Sequence, residues 1–109
     1  MKPLIWLGDS RDFVRRLPDV TRQVIGYGLD RIQHGTQPTD FKPMPGIGLG
    51  VYEMRVHTER EYRVIYVARF IEAIYVLHGF VKKSQRTPMS DINLAATRYR
   101  ALLKMRKAK

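Results

Sequence analysis

Residues 50–88 read GVYEMRVHTEREYRVIYVARFIEAIYVLHGFVKKSQRTP, and the way this stretch divides decides the fold. Between Val51 and Phe80 the residue types favour strands and polar side chains return at intervals of two, which predicts a three-stranded antiparallel meander followed by a cationic loop. A turn over Thr58–Arg60 sets Arg55 opposite Arg63, and a turn over Arg69–Glu72 sets Arg63 opposite His78. Cross-strand partners share a face. One face then carries Tyr52, Met54, Val56, Tyr62, Val64, Tyr66, Tyr75 and Leu77, the makings of a buried layer. The other carries Glu53, Arg55, His57, Glu61, Arg63 and His78, with Lys82 and Lys83 just past the last strand. Two arginines side by side repel each other and gain nothing from burial, so an anion is expected against that face. The assignment depends on register, because a slip of one residue turns Arg55 to the opposite side.

Upstream, the short apolar cluster Leu4–Leu7 ends at Gly8 and predicts a fourth strand joining the meander. Asp9 or Ser10 can cap a first helix carrying Phe13, Val14 and Leu17, which Pro18 ends. A second helix is expected from Asp19, with Val20, Val24, Ile25, Leu29 and Ile32 as its apolar stripe and His34-Gly35 as its stop. Gly26 and Gly28 weaken that helix by about 1 kcal/mol each relative to alanine, which points to close packing. Thr36–Gly50 holds three prolines and three glycines and reads as a connecting loop; its glycines lead into a strand with no Gly-Lys-Ser/Thr, unlike a phosphate-binding loop. Lys42 is the loop residue placed to reach a phosphate. Downstream, Ser90 can cap a last helix with Asp91 in its first turn and Ile92, Ala95, Ala96, Tyr99, Leu102 and Leu103 on its apolar side. The fold class that results is α+β: a small, mostly antiparallel sheet of about four strands, two N-terminal helices on one face and a C-terminal helix.

The length of 109 residues fits one domain spanning residues 1–109. No apolar run approaches the roughly 18 residues of a membrane span, and the N-terminal apolar stretch is too short for a signal peptide, so a cytoplasmic protein with no membrane partner is expected. The absence of cysteine excludes disulfides, thiolate metal sites and cysteine nucleophiles. Charge is the informative bulk property. Twenty lysines and arginines stand against ten acids, and nine of the twenty, with one acid, fall between Lys82 and Lys109. A polyanion is the economical partner for such an end, nucleic acid ahead of membrane because no amphipathic apolar surface accompanies the charge. Helix electrostatics alone accounts for part of it, since cations are favoured near a helix C-terminus.

Three histidines without cysteine make a poor metal set, and no cofactor is expected. Ser10, Ser84 and Ser90 sit at caps or in loops, none in a nucleophile elbow. The remaining constellation is cationic: Arg55, Arg63, His78, Lys82 and Lys83 as candidate catalytic residues, with Lys42, His57 and Arg86 as candidate RNA contacts. Such a set can cleave RNA without metal, the ribose 2′-hydroxyl attacking the adjacent phosphate while fixed cations stabilise the added charge. Arg63 can grip two phosphate oxygens at once. His78 has the ordinary pKa for proton transfer near neutrality, and a lysine crowded by other cations, Lys82 or Lys83, can share that work. Simple nucleic-acid binding fits the same residues.

Lys42-Pro43 with the glycine-rich turn, Val51-Tyr52-Glu53-Met54-Arg55, Tyr62-Arg63-Val64, and above all Tyr75-Val76-Leu77-His78-Gly79-Phe80-Val81-Lys82-Lys83-Ser84 ending in Thr87-Pro88, resemble the RelE/HigB superfamily of bacterial toxins, in its phage-associated HigB-like branch. The resemblance covers nearly the whole chain. It implies helices on one sheet face, RNA on the other, and an mRNA endonuclease (an mRNA interferase) that in many members works on the translating ribosome. It also implies a cognate antitoxin, often with a helix-turn-helix domain and HigA-like, through which alone the toxin meets DNA. Residue by residue, Arg63 matches the strand arginine of the Tyr-Arg motif, Arg55 the basic position on the preceding strand, and Lys82 and Lys83 the basic residues after the last strand. A tyrosine that follows the last strand in some members has no counterpart here, Phe80 lacking a hydroxyl. Two other functions fit the same sequence: inhibition of DNA gyrase by binding, as in the ParE branch, and a non-catalytic phage-related nucleic-acid-binding protein.

Overall fold

The long strands lie where the alternating pattern puts them, and the rest of the chain packs on their two faces. In a computed structural model, which describes residues 1–108, the chain runs β1 (Leu4–Trp6), α1 (Ser10–Arg15), α2 (Asp19–Gln33), β2 (Phe41–Pro43), β3 (Val51–His57), β4 (Glu61–Val67), β5 (Ile74–Val81) and α3 (Met89–Lys107). The class is α+β as expected. The sheet, however, has five strands in the order β1-β5-β4-β3-β2, and it is mixed, because β1 runs parallel to β5. The additional strand is β2, which pairs antiparallel with β3 inside the segment expected to be loop. It is short and contains Pro43, which suits an edge strand.

The β3–β4 hairpin has the expected register, with Arg55 opposite Arg63. The β4–β5 pairing does not. Arg63 lies opposite Phe80, and His78 lies opposite Ile65: the connection is one residue longer than expected, with Val67 opposite Tyr75, and a register shift at Ile65/Tyr66 leaves Leu77 as a further extra residue in β5. A bulge of this kind breaks the strict alternation of sides. Tyr75 and Leu77 therefore belong to the opposite core from Tyr62, Val64 and Tyr66.

Both faces are covered. On one, α1 and α2 bury Ile25, Leu29 and Ile32 against Met54, Val56, Tyr62, Val64, Tyr66, Ile74 and Val76. On the other, α3 lays Ala95, Tyr99 and Leu102 over Val51, Ile65, Val67, Tyr75, Leu77 and Phe80. Its C-terminal end is fixed by Arg106, which lies 3.7 Å from the Phe70 ring centre and donates to Glu72 at 2.7 Å. That contact holds the Glu72 carboxyl down at about 2.

Local details differ from expectation in instructive ways. Ser10 does not cap α1; its hydroxyl donates to the Val76 carbonyl at 3.1 Å and moors the helix on β5. Ser90 lies inside α3, which begins after Pro88. Gly28 fits directly beneath Met54 of β3, where a Cβ would overlap the sulfur, whereas Gly26 faces open space. The buried side of α2 is Thr21, Ile25, Gly28, Leu29 and Ile32, so Val20 and Val24 are rotated out to solvent. No helix is long and apolar enough to cross a membrane among the described residues.

Ile25 is fully buried, whereas Val24 is 43% exposed. Ile25→Ala is expected to lower unfolding free energy by about 2–5 kcal/mol, and Val24→Ala to change it by no more than about 0.5 kcal/mol. Urea denaturation of both variants checks the helix orientation.

Candidate nucleic-acid interface

Alternation along β3 and β4 places Glu53, Arg55 and His57 beside Glu61 and Arg63 on one side of the sheet, beyond the end that α3 covers. The two arginines face each other directly. The anion they need comes from the chain itself. Glu53, 1% exposed, puts Oε1 at 3.7 Å from the Arg63 Nε and 4.0 Å from the Arg55 Nε, and its Oε2 accepts a bond from the Thr87 hydroxyl at 3.0 Å. Thr87 belongs to the segment between β5 and α3, so this bond also draws that cationic loop across the sheet.

Arg63 is nearly enclosed, its side chain 6% exposed; its Nη1 donates to Glu61 Oε1 at 3.1 Å and to the Tyr62 carbonyl at 2.9 Å. The Nε groups of both Arg55 and Arg63 are buried without a hydrogen-bond partner among the described residues. Buried donors are nearly always satisfied, so two unmet guanidinium donors side by side mark a place where an acceptor belongs.

Beside Arg63 an open cleft of about 450 Å³ is lined by Glu61, Arg63, Lys82, Lys83, Ser84 and Gln85. Lys82 is held there through its backbone N–H, which donates to the Glu61 carbonyl at 2.8 Å. Next to the cleft stands His57, half-exposed, with Nδ1 at 2.7 Å from Glu61 and Nε2 at 2.6 Å from Asp40. With a carboxylate on each ring nitrogen both nitrogens act as donors, and the pKa of His57 is raised by Asp40 first and Glu61 second. The Glu61 carboxyl is correspondingly lowered, chiefly by His57 and also by Arg63.

His78 lies on the same face one row away and points under α3. It is 6% exposed, donates from Nε2 to Asp91 at 2.7 Å, stacks on Phe80 with ring centres 5.5 Å apart, and has Arg98 at 3.5 Å from Nδ1. Arg98 continues to the Leu77 carbonyl and to Asp9, each at 2.9 Å. His78 thus joins β5 to the N-terminal end of α3, and its ring nitrogens are both engaged.

Lys83 lines the cleft, and Arg86 is exposed in the same loop. Lys42, on β2, pairs in register with Glu53 and is exposed on the same face. Of the residues singled out from sequence, Arg63, Lys82 and Lys83 line one cleft, Arg55 lies opposite Arg63 on the neighbouring strand, His57 bonds Glu61 at the cleft wall, and His78 is not among them. The sequence places Glu53 and Glu61 on this face without giving them a role in the site, and it gives none to Asp40. The first two sit two residues before an arginine on the same strand, a spacing that puts acid and base on one face and was legible; Asp40 precedes a strand that sequence did not show.

The model of the family described as phage derived protein Gp49-like (DUF891) matches residues 12–100, from α1 into α3. No curated protein matches the chain significantly.

The His57 bridge has a defined pH signature. A raised histidine pKa stabilises the fold below the ordinary imidazole value of about 6.5, and this stabilisation is lost as pH rises through the raised value. An NMR titration of the His57 ring is expected to show a midpoint above the ordinary one, falling back in Asp40→Asn.

Proposed function

Because the chain belongs to the phage-derived Gp49-like family, which is consistent with a toxin of a toxin–antitoxin pair, we propose that it is such a toxin, of the RelE/HigB-like kind, and cleaves mRNA at the Arg63 cleft. Its partners in this proposal are an antitoxin that restrains it and the translating ribosome on which the message is presented, both in the cytoplasm. One observation carries the chemistry: an acid and a base pushed apart in pKa stand in contact beside a buried arginine and two lysines. Pairs of titratable groups driven in opposite directions are how a site fixes which group gives and which takes a proton.

In this scheme the phosphate enters between Arg63, Lys82 and Lys83, and the unmet Nε donors of Arg63 and Arg55 turn toward its oxygens. The ribose 2′-oxygen attacks phosphorus as its proton passes to the Glu61 carboxylate. The P–O5′ bond then breaks, and His57, whose hold on its proton is strengthened by Asp40 and Glu61, gives its ring proton to the departing 5′-oxygen. The products are a 2′,3′-cyclic phosphate and a 5′-hydroxyl, with the charge of the intermediate stabilised by the guanidinium and ammonium groups. This reassigns proton transfer from His78 to His57 and Glu61, because His78 is packed beneath α3 with its side chain 8% exposed, whereas the His57 side chain is 51% exposed.

Primer extension on mRNA after induction of the protein is expected to show discrete cleavage sites, and purified protein is expected to leave gyrase supercoiling unaffected. Inhibition of gyrase with no cleavage would replace this function by the ParE-like one. His57→Gln is expected to reduce cleavage by about 10²–10⁴-fold, the usual contribution of a general acid, whereas His78→Gln loses stability and keeps most of its rate per folded molecule. Arg63→Lys, which retains charge opposite Glu53 but loses the paired geometry, should abolish growth inhibition while the protein stays folded.

A further inference from the structure

We propose that the solvent face of α3 is a second, non-catalytic surface that binds the phosphate backbone of double-stranded RNA. Asn93, Thr97, Arg100, Lys104 and Lys107 follow one another at steps of four, three, four and three along α3, which puts them on a single stripe. The stripe lies opposite Ala95 and Leu102, the residues the helix buries, and all five of its members are exposed.

The cations of this helix divide sharply by what they touch. Arg98 is tied to Asp9 and Arg106 to Glu72. Among the described residues, no carboxylate lies within ion-pair distance of Arg100, Lys104 or Lys107, and the single side-chain bond of the three runs from Arg100 to Thr97, within the stripe, at 3.2 Å. The helix dipole favours cations only in the last turn and at any azimuth. It does not account for Arg100, nearly two turns from the end, or for the shared face.

The composition of the stripe selects the ligand. It offers ammonium, guanidinium, amide and hydroxyl groups and no aromatic ring, so it lacks the stacking platforms by which single strands are held. Donors without base-reading geometry bind phosphates and sugars. A helix of nineteen residues, about 28 Å long, can lie along a duplex backbone, and the hydroxyl and amide of Thr97 and Asn93 can meet the 2′-hydroxyls that an RNA duplex displays. The basic end of the stripe lies beside Glu72, at the start of β5, whereas the cleft opens past the end of β5, about 26 Å along the strand. The two surfaces can therefore hold different RNA segments at once, and the α3 surface does not require that the cleft cleave.

The test is fluorescence anisotropy with a mixed-sequence RNA duplex of about 16 base pairs over a range of salt. The triple variant Arg100→Gln/Lys104→Gln/Lys107→Gln is expected to bind about tenfold or more weakly and to lose about two to three from the slope of log K against log salt, with its helical circular dichroism intact. Arg11→Gln/Arg15→Gln/Arg16→Gln removes the same charge from α1, on the other side of the sheet, and should keep the slope. Equal losses in the two triples, an unchanged slope in the α3 triple, or equally tight binding of polyglutamate would overturn the assignment. Because the readout is binding without turnover, it stands apart from whether the cleft is a nuclease.

Discussion

A carboxylate buried between two arginines sets the character of this protein. Arg55 and Arg63 are forced together by strand register, and in isolation their repulsion would oppose the very hairpin that makes them neighbours. Glu53 removes that conflict from within, 1% exposed and within 4.0 Å of both Nε groups. Such a pair is not a generous source of stability, because taking the charges out of water offsets most of their attraction. Removing one member is another matter, since it strands a buried charge at a cost of about 3–5 kcal/mol. The network is thus kept in place by the penalty for breaking it. Through Thr87 it also fixes the path of the loop carrying Lys82, Lys83 and Arg86.

The geometry leaves the arginines held but not saturated. Glu53 stands just outside hydrogen-bond range of their Nε groups, so the attraction orients the guanidiniums while these two Nε donors have no hydrogen-bond partner among the described residues. Under the proposed function, a phosphate in the cleft would meet an Arg63 guanidinium already held in place, a condition under which charge stabilisation is strong. His57 and Glu61 extend the same alternation of signs outward to solvent, where protons can be exchanged.

The bulge in β5 has a second consequence. By breaking alternation at Leu77 it turns Tyr75 and Leu77 toward α3 and enlarges the core on that side, so the helix finds an apolar bed on a face whose other end is fully charged. His78 then falls at the boundary between core and cleft. Its bonds to Asp91 and Arg98 make it the latch for the N-terminal end of α3, as Glu72 and Phe70 are for the other end. A sheet that appears two-faced in sequence, one oily and one ionic, is divided along its length as well.

Local sequence determined every element except β2, the β3–β4 register and the cationic character of one face, because those follow from side-chain periodicity and from a tight turn, whose few residues leave the pairing little freedom. It determined that Arg55 meets Arg63. It did not determine β2, whose three residues carry no alternation long enough to detect, nor the pairing of β4 with β5, where a longer connection and one unpaired residue shift the register without any mark in composition. Only the tertiary structure decided that His78 is roofed by a helix distant in sequence, that Asp40 reaches His57, and that Glu53 rather than a ligand lies between the arginines. Those are contacts between segments whose spacing in the chain says nothing of their distance in space, and they are fixed only when both faces of the sheet are packed.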